Sequence, residues 1–176
     1  MNKAYLRALT AAIGAAAALA TVNLTSGSEG LSTHPYHDTV GSPKMTVCYG
    51  ETNVAMRNYT ADECKAMLAN SLASYTRSIK TNIPGFDNLT PGQKSAIVDF
   101  SYNRGLGAVE RPSRAGEPPS VLDAYQNSDF PAACDLYTRW AVVERRGRWV
   151  DCSVRSNGCY GIYTRRQAER AECLKG

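Results

Sequence analysis

Two acids near the amino end of the chain have the residue type and spacing for chemistry on a sugar. Glu29 and Asp38 stand nine positions apart (38 − 29), in the stretch SEGLSTHPYHDTVGSPKMTVCYGET from Ser28 to Thr52. Glycosidic bond cleavage takes two carboxyl groups in different states: one protonated, to give a proton to the leaving oxygen, and one ionised. A carboxyl at a helix end against an apolar wall keeps its proton near neutral pH, because burial disfavours the charge. Glu29 is therefore the expected acid. Asp38 is the expected second carboxylate, orienting a water or stabilising positive charge on the sugar. Spacing alone is a weak signal, and His-Asp-Thr before Gly41 is also good turn chemistry.

Other reactive side chains in the chain have plainer readings. His34 and His37 form H-x-x-H across a proline without further ligands, so turn and packing roles are expected and no metal or cofactor is. The six cysteines, Cys48, Cys64, Cys134, Cys152, Cys159 and Cys173, include no C-x-x-C pair and no zinc spacing. An even count behind an export-like segment reads as disulfides made in an oxidising compartment. Cys152 to Cys159 brackets an Asn-Gly turn and suits a local bridge, while Cys159 to Cys173 is the alternative. Trp140 falls at helical core spacing; Trp149 is open and is free to stack on a sugar ring.

These side chains need elements to hold them. A short helix must end at Glu29. Met45 to Tyr49, between Gly41 and Gly50, reads as one strand of a hairpin. Thr60-Ala-Asp-Glu63 is a capping box, and Cys64, Met67, Leu68, Leu72, Tyr75 and Ile79 follow at helical spacing up to Lys80. A second helix starts at Thr90, with Pro91 in its first turn and Gln93 at the box position, and ends at Gly105. Residues 107–119 are a Pro-, Gly- and Arg-rich loop. Ser120–Gln126 and Asp129–Val143 read as helices, Arg145–Arg148 as a basic turn, and Gly161–Leu174 as a closing helix.

The pattern E-x8-D, a glycine turn, then T-V-C-Y-G-x-T resembles the active-site hairpin of the phage-type lysozymes (endolysins, muramidases). LTPGQKSAIVDFSYNRG from Leu89 is similar to that family's central buried helix, and CYGIYTRRQAER from Cys159 to its C-terminal G-x-x-x-RR-x-x-E helix. The resemblance covers Ser28 to Leu174. It implies an α+β, lysozyme-like fold with a small β-hairpin lobe, a larger helical lobe and a cleft between them. It implies hydrolysis of the β-1,4 bond between N-acetylmuramic acid and N-acetylglucosamine in peptidoglycan, in host lysis by a phage or prophage. Thr46 would hold the attacking water with Asp38, Asn103 would contact the sugar, and Arg165 would pair with Glu29. Such an arrangement is inverting, with carboxyl carbons about 6.5 to 9.5 Å apart rather than about 5 Å. Asp38 to Thr46 spans eight positions, longer than in the compact hairpins of the family, with the extra residues in Ser42-Pro43-Lys44-Met45. A shift in strand register there would turn Thr46 to the wrong face. The alternatives are a lytic transglycosylase, which manages with one glutamate, and a non-catalytic wall-binding module on the same fold.

Length and composition agree with one ordinary domain. The chain has 176 residues, 43% hydrophobic and 20% charged, and a formal charge of +4. That charge is too mild for a nucleic-acid partner, and a monomer is expected. Residues 1–26 are set apart as a signal segment, and 27–176 as the catalytic domain. Lys3 and Arg7 precede an uncharged run, Ala8 to Leu24, with eight alanines up to Ala20. Positive charge before an apolar run sends the following chain across the inner membrane, into the periplasm. Ala18-Leu19-Ala20 fits a signal-peptidase site. The competing reading is a signal-arrest-release segment, held transiently in the inner membrane and then released intact. While so held, it would pin Glu29 near the lipid surface, away from Asp38.

Overall fold

In the computed structural model, described over residues 4–38, 44–113, 117 and 119–175, the alanine-rich run is part of the core. It folds as α1 (Arg7–Ile13) and α2 (Ala15–Ser28), bent by 117° at Gly14. Gly14 has φ +85 and ψ 159, a backbone conformation that only glycine adopts without strain. Leu9, Ile13, Ala17, Ala18 and Val22 are buried in the same apolar cluster as the rest of the molecule. This departs from the expectation that residues 1–26 lie apart from the folded domain. Alanine and leucine at this density suit a membrane segment and a close-packed helix equally, so composition did not separate the two. Lys3 lies outside the described residues.

After α2 the chain forms an antiparallel hairpin, β1 (Ser32–Asp38) and β2 (Lys44–Cys48). Tyr36 pairs with Thr46 and Asp38 with Lys44, while Ser32 pairs with Cys48. Between the Ser32 and Tyr36 pairs, β1 advances four residues against two in β2 (36 − 32 against 48 − 46), so β1 bulges there. Of the stretch expected to hold the extra residues, Lys44 and Met45 open β2, while Ser42 and Pro43, with Gly41 and the rest of 39–43, lie outside the described residues.

The helical lobe is built on α3 (Ala61–Lys80) and α4 (Pro91–Arg104), both opened by the expected capping boxes, at Thr60 with Glu63 and Thr90 with Gln93. A one-turn helix, α5 (Leu106–Val109), follows Gly105 at the start of the segment read as a loop; residues 114–116 and 118 of that segment lie outside the described residues. Next come α6 (Val121–Gln126) and α7 (Phe130–Leu136). The helix expected to run to Val143 stops at Leu136. A 3-10 turn, Tyr137–Trp140, leads instead into a second hairpin, β3 (Val142–Arg145) and β4 (Arg148–Asp151), with the basic turn at its tip. Trp149 on β4 is 50% exposed. The closing helix is α8 (Tyr160–Cys173).

Three disulfides tie these parts together: Cys48–Cys64 joins β2 to α3, Cys134–Cys173 joins α7 to α8, and Cys152–Cys159 closes the loop after β4. Phe100, near the middle of α4, is fully buried, with its ring 5.1 Å from that of Tyr137 and 5.7 Å from that of Trp140. The architecture is α+β: a small hairpin lobe beside a larger lobe of helices.

Candidate active site

Glu29 is the first residue past α2, its N–H still donating to the Thr25 carbonyl at 2.9 Å. The helix end fixes its backbone and leaves its side chain 26% exposed. Arg165, one turn into α8, donates through Nη1 to Glu29 Oε1, and Asn103 at the end of α4 donates to the same oxygen at 3.4 Å. Among the described residues both contacts go to Oε1, which leaves Oε2 without a protein donor.

Arg165 is only 6% exposed and is shared between the surface and the core. Its Nη2 and Nε reach the two oxygens of Asp99, at 2.9 and 3.3 Å, as a two-pronged ion pair. Burial alone would lower the Arg165 pKa, but the Asp99 and Glu29 carboxylates hold it above its usual value. Asp99 is fully buried and also accepts the Thr25 hydroxyl at 2.7 Å. Behind them Arg166 donates to Glu169 at 2.5 Å and to the Asn103 side-chain oxygen at 2.8 Å. Arg166 thus orients the amide that faces Glu29. Three carboxyls (Glu29, Asp99, Glu169) meet two guanidiniums (Arg165, Arg166) in this cluster. Burial pushes Glu169 well above the ordinary carboxylate range and lowers Arg166 to about 10.

A cleft of about 360 Å³ opens on Glu29, walled by Glu51, Ser71, Tyr75, Tyr102 and Asn103 among others. Its floor is tied to the hairpin: the Tyr102 hydroxyl donates to the Tyr49 carbonyl at 2.8 Å, and its ring meets Tyr75 edge-on at 5.7 Å. Burial raises the Tyr102 pKa well above its usual value, and the Glu51 and Glu29 carboxylates push the same way, so the hydroxyl stays a neutral donor. A larger hollow of about 700 Å³ lies by Lys80 to Asn88, but its acid, Asp87, is taken up by Lys80 at 2.5 Å. The smaller cleft is the one that gathers Glu29, Glu51 and Asn103.

Thr46 is 3% exposed, and its hydroxyl donates to the Lys44 carbonyl at 3.3 Å. Its register position is two residues along from the Asp38–Lys44 pair, on the same side of the pleat. The Asp38 side chain lies outside the described residues, and so does its separation from Glu29. His34 and His37 both lie in β1 and are exposed. Among the described residues no three His, Cys, Asp or Glu side chains gather as a metal site would need.

Sequence reasoning missed Thr25, Asp99 and Glu51. Asp99 in the middle of an apolar helix pattern was the available signal, since a buried acid demands a cationic partner. Glu51 sat in the variable position of T-V-C-Y-G-x-T.

A hairpin lobe and a helical lobe with a carboxylate-bearing cleft between them define a lysozyme-type protein. The profile described as phage lysozyme matches residues 26–169. The chain is 33% identical to the SAR-endolysin of Bacteriophage PS34 over 100% of its own length and 98% of the relative's, and 32% identical to that of Enterobacteria phage P21, over 100% and 99%. Among solved structures it is similar to the muramidase domain of SpmX from Asticaccaulis excentricus (TM-score 0.74, 21% identity, 89% and 96% of the two chains). The active form of P1 phage endolysin Lyz aligns with TM-score 0.72 and 20% identity, over 98% and 94%. The chain belongs to the phage lysozyme family, as an endolysin of the SAR type. Its chemistry is hydrolytic lysis of peptidoglycan.

Proposed function

We propose that the chain is a muramidase that cleaves the β-1,4 bond between N-acetylmuramic acid and N-acetylglucosamine, with inversion. The observation that carries this reading is the Glu29 carboxyl held at the cleft edge by Arg165 and Asn103 on one oxygen. The other oxygen is then the one that protonates the bridging oxygen of the glycan. Asp38 and Thr46 hold water on the opposite face of the sugar, a role supported by their shared side of the hairpin. Thr46 gives its proton to the Lys44 carbonyl and so keeps lone pairs for a water hydrogen. Arg165 works through Glu29 rather than on the glycan, because its guanidinium is occupied by carboxylates. Asn103, exposed in the cleft, is free to meet a sugar group as well as Glu29.

The enzyme acts as a monomer in the periplasm, after a first stage in the inner membrane through residues 1–26. No single helix among the described residues is long and apolar enough to cross a bilayer; α1 and α2 together pass that test by length and composition only, across the 117° bend. Retention of the segment is favoured over cleavage by packing. Cutting after Ala20 would remove Leu6, Leu9 and Ile13 from the core. At about 1.5–3 kcal/mol each, their loss rivals a typical net stability of about 5–15 kcal/mol. The last turn of α2 is tied to α4 by the Thr25 hydroxyl on Asp99, a contact the released segment would make.

The test is the product of digested, purified walls. A muramidase leaves a reducing muramic acid end, formed first as the inverted anomer; 1,6-anhydro ends would identify a transglycosylase, and a retained anomer would exclude the water-activating role of Asp38.

A further inference from the structure

Glu51 is a half-buried carboxylate in the cleft with no job in the mechanism above. Its main chain is clamped: Val47 and Glu51 exchange two backbone hydrogen bonds, at 3.0 and 2.9 Å, across the turn that follows β2. The same turn is fixed from below by Tyr102 on the Tyr49 carbonyl and from behind by the Cys48–Cys64 disulfide. On the side chain, Ser71 of α3 donates to Oε1 at 2.8 Å. No ion pair to Glu51 occurs among the described residues, and its charge is felt at the Tyr102 hydroxyl. A half-buried carboxylate with one neutral donor and no cation has acceptor capacity left to offer into the cleft. A ligand with hydrogen-bond donors would complete its hydrogen bonding.

We propose that Glu51 is a glycan-binding carboxylate, accepting hydrogen bonds from the hydroxyl or acetamido N–H donors of an N-acetylglucosamine ring lying along the cleft. An ionised carboxylate is acceptor-only, and that ring is rich in donors. Ser71 orients one oxygen, so the other is presented in a fixed direction, and the clamped turn keeps it from moving with the substrate. The inference rests on the muramidase reading of this cleft.

The experiment is steady-state kinetics of full-length protein, released in soluble form, on purified peptidoglycan, comparing wild type with Glu51→Ala and Glu51→Gln. A charge-assisted hydrogen bond to substrate is worth about tenfold or more in binding. Glu51→Ala should raise KM about tenfold with kcat within about twofold and the pH profile unmoved; Glu51→Gln, which keeps an acceptor for Ser71 and for the sugar, should fall between. An unchanged KM overturns the proposal. So does a fall in kcat at constant KM, or a shifted pH profile, because either would place Glu51 in the chemistry. Thermal melting of Glu51→Gln separates binding from folding: a KM rise matched by a lost melting transition is a structural effect and also overturns it. Failure of the muramidase reading is distinguishable, since it would appear in the wild-type products whatever Glu51 does.

Discussion

Arg165 links the surface carboxyl of Glu29 to the buried carboxyl of Asp99, and one guanidinium fork is needed to reach both. Arg165→Lys keeps the charge but loses the fork, so lysis of purified walls should drop at least about tenfold while much of the fold is retained. Arg165→Ala leaves Asp99 charged in the core without its partner, a loss of about 3–5 kcal/mol that denaturant melts would show. A variant that melted and lysed like wild type would remove Arg165 from the site. The sequence was readable at this scale where a motif named the residue: Glu29, Asn103 and Arg165 do come together. It was unreadable where a partner came from elsewhere in the chain. Nothing near Thr25 signals Asp99, 74 residues on, and Glu51 is ordinary until the turn folds it into the cleft.

The elements that local chemistry specifies are the ones that were legible. At Thr60 both halves of the capping box are made, and Glu63 also takes Arg57 at 2.8 Å. The backbone hydrogen bond from Thr60, with Arg57 next, lowers the Glu63 pKa from its usual 4.5 to about 2. The folded state thus holds that proton more weakly than the unfolded chain. The stabilisation is present above about pH 4.5 and is lost as pH falls through about 2. Glu63→Gln should flatten that acid limb of the stability profile, and Thr60→Ala should cost about 1 kcal/mol at neutral pH. An unchanged acid limb would contradict the cap. The second hairpin was illegible for the opposite reason. Val142-Val143-Glu144 continues a helical pattern set by Phe130, Cys134 and Tyr137, and only Arg146-Gly147, both at positive φ, forces the chain back.

At the scale of the molecule, the proposed two-stage role asks one segment to serve two solvents. In the folded enzyme α1 packs on α3 and α2 on α4, with the bend at Gly14 allowing both. The same residues, straightened, have the length and composition to lie in a bilayer. Composition suggested an export role and concealed the packing role, because small apolar side chains suit both. A chain lacking residues 1–20 should therefore be inactive and lose its cooperative melt, although it retains Glu29, Asp38 and Thr46. Full activity from that truncated chain would show that the buried N-terminal helices are dispensable, and would restore the cleaved-signal reading.

The proposed chemistry rests on Glu29 as the proton donor of the cleft, held there by Arg165 and Asn103. The direct measurement is lysis of purified peptidoglycan by Glu29→Gln alongside its binding to the same walls. Loss of lysis by at least about a thousandfold, with binding and melting kept near wild type, is the predicted result. Lysis that survives the substitution would place the acid elsewhere and contradict the account.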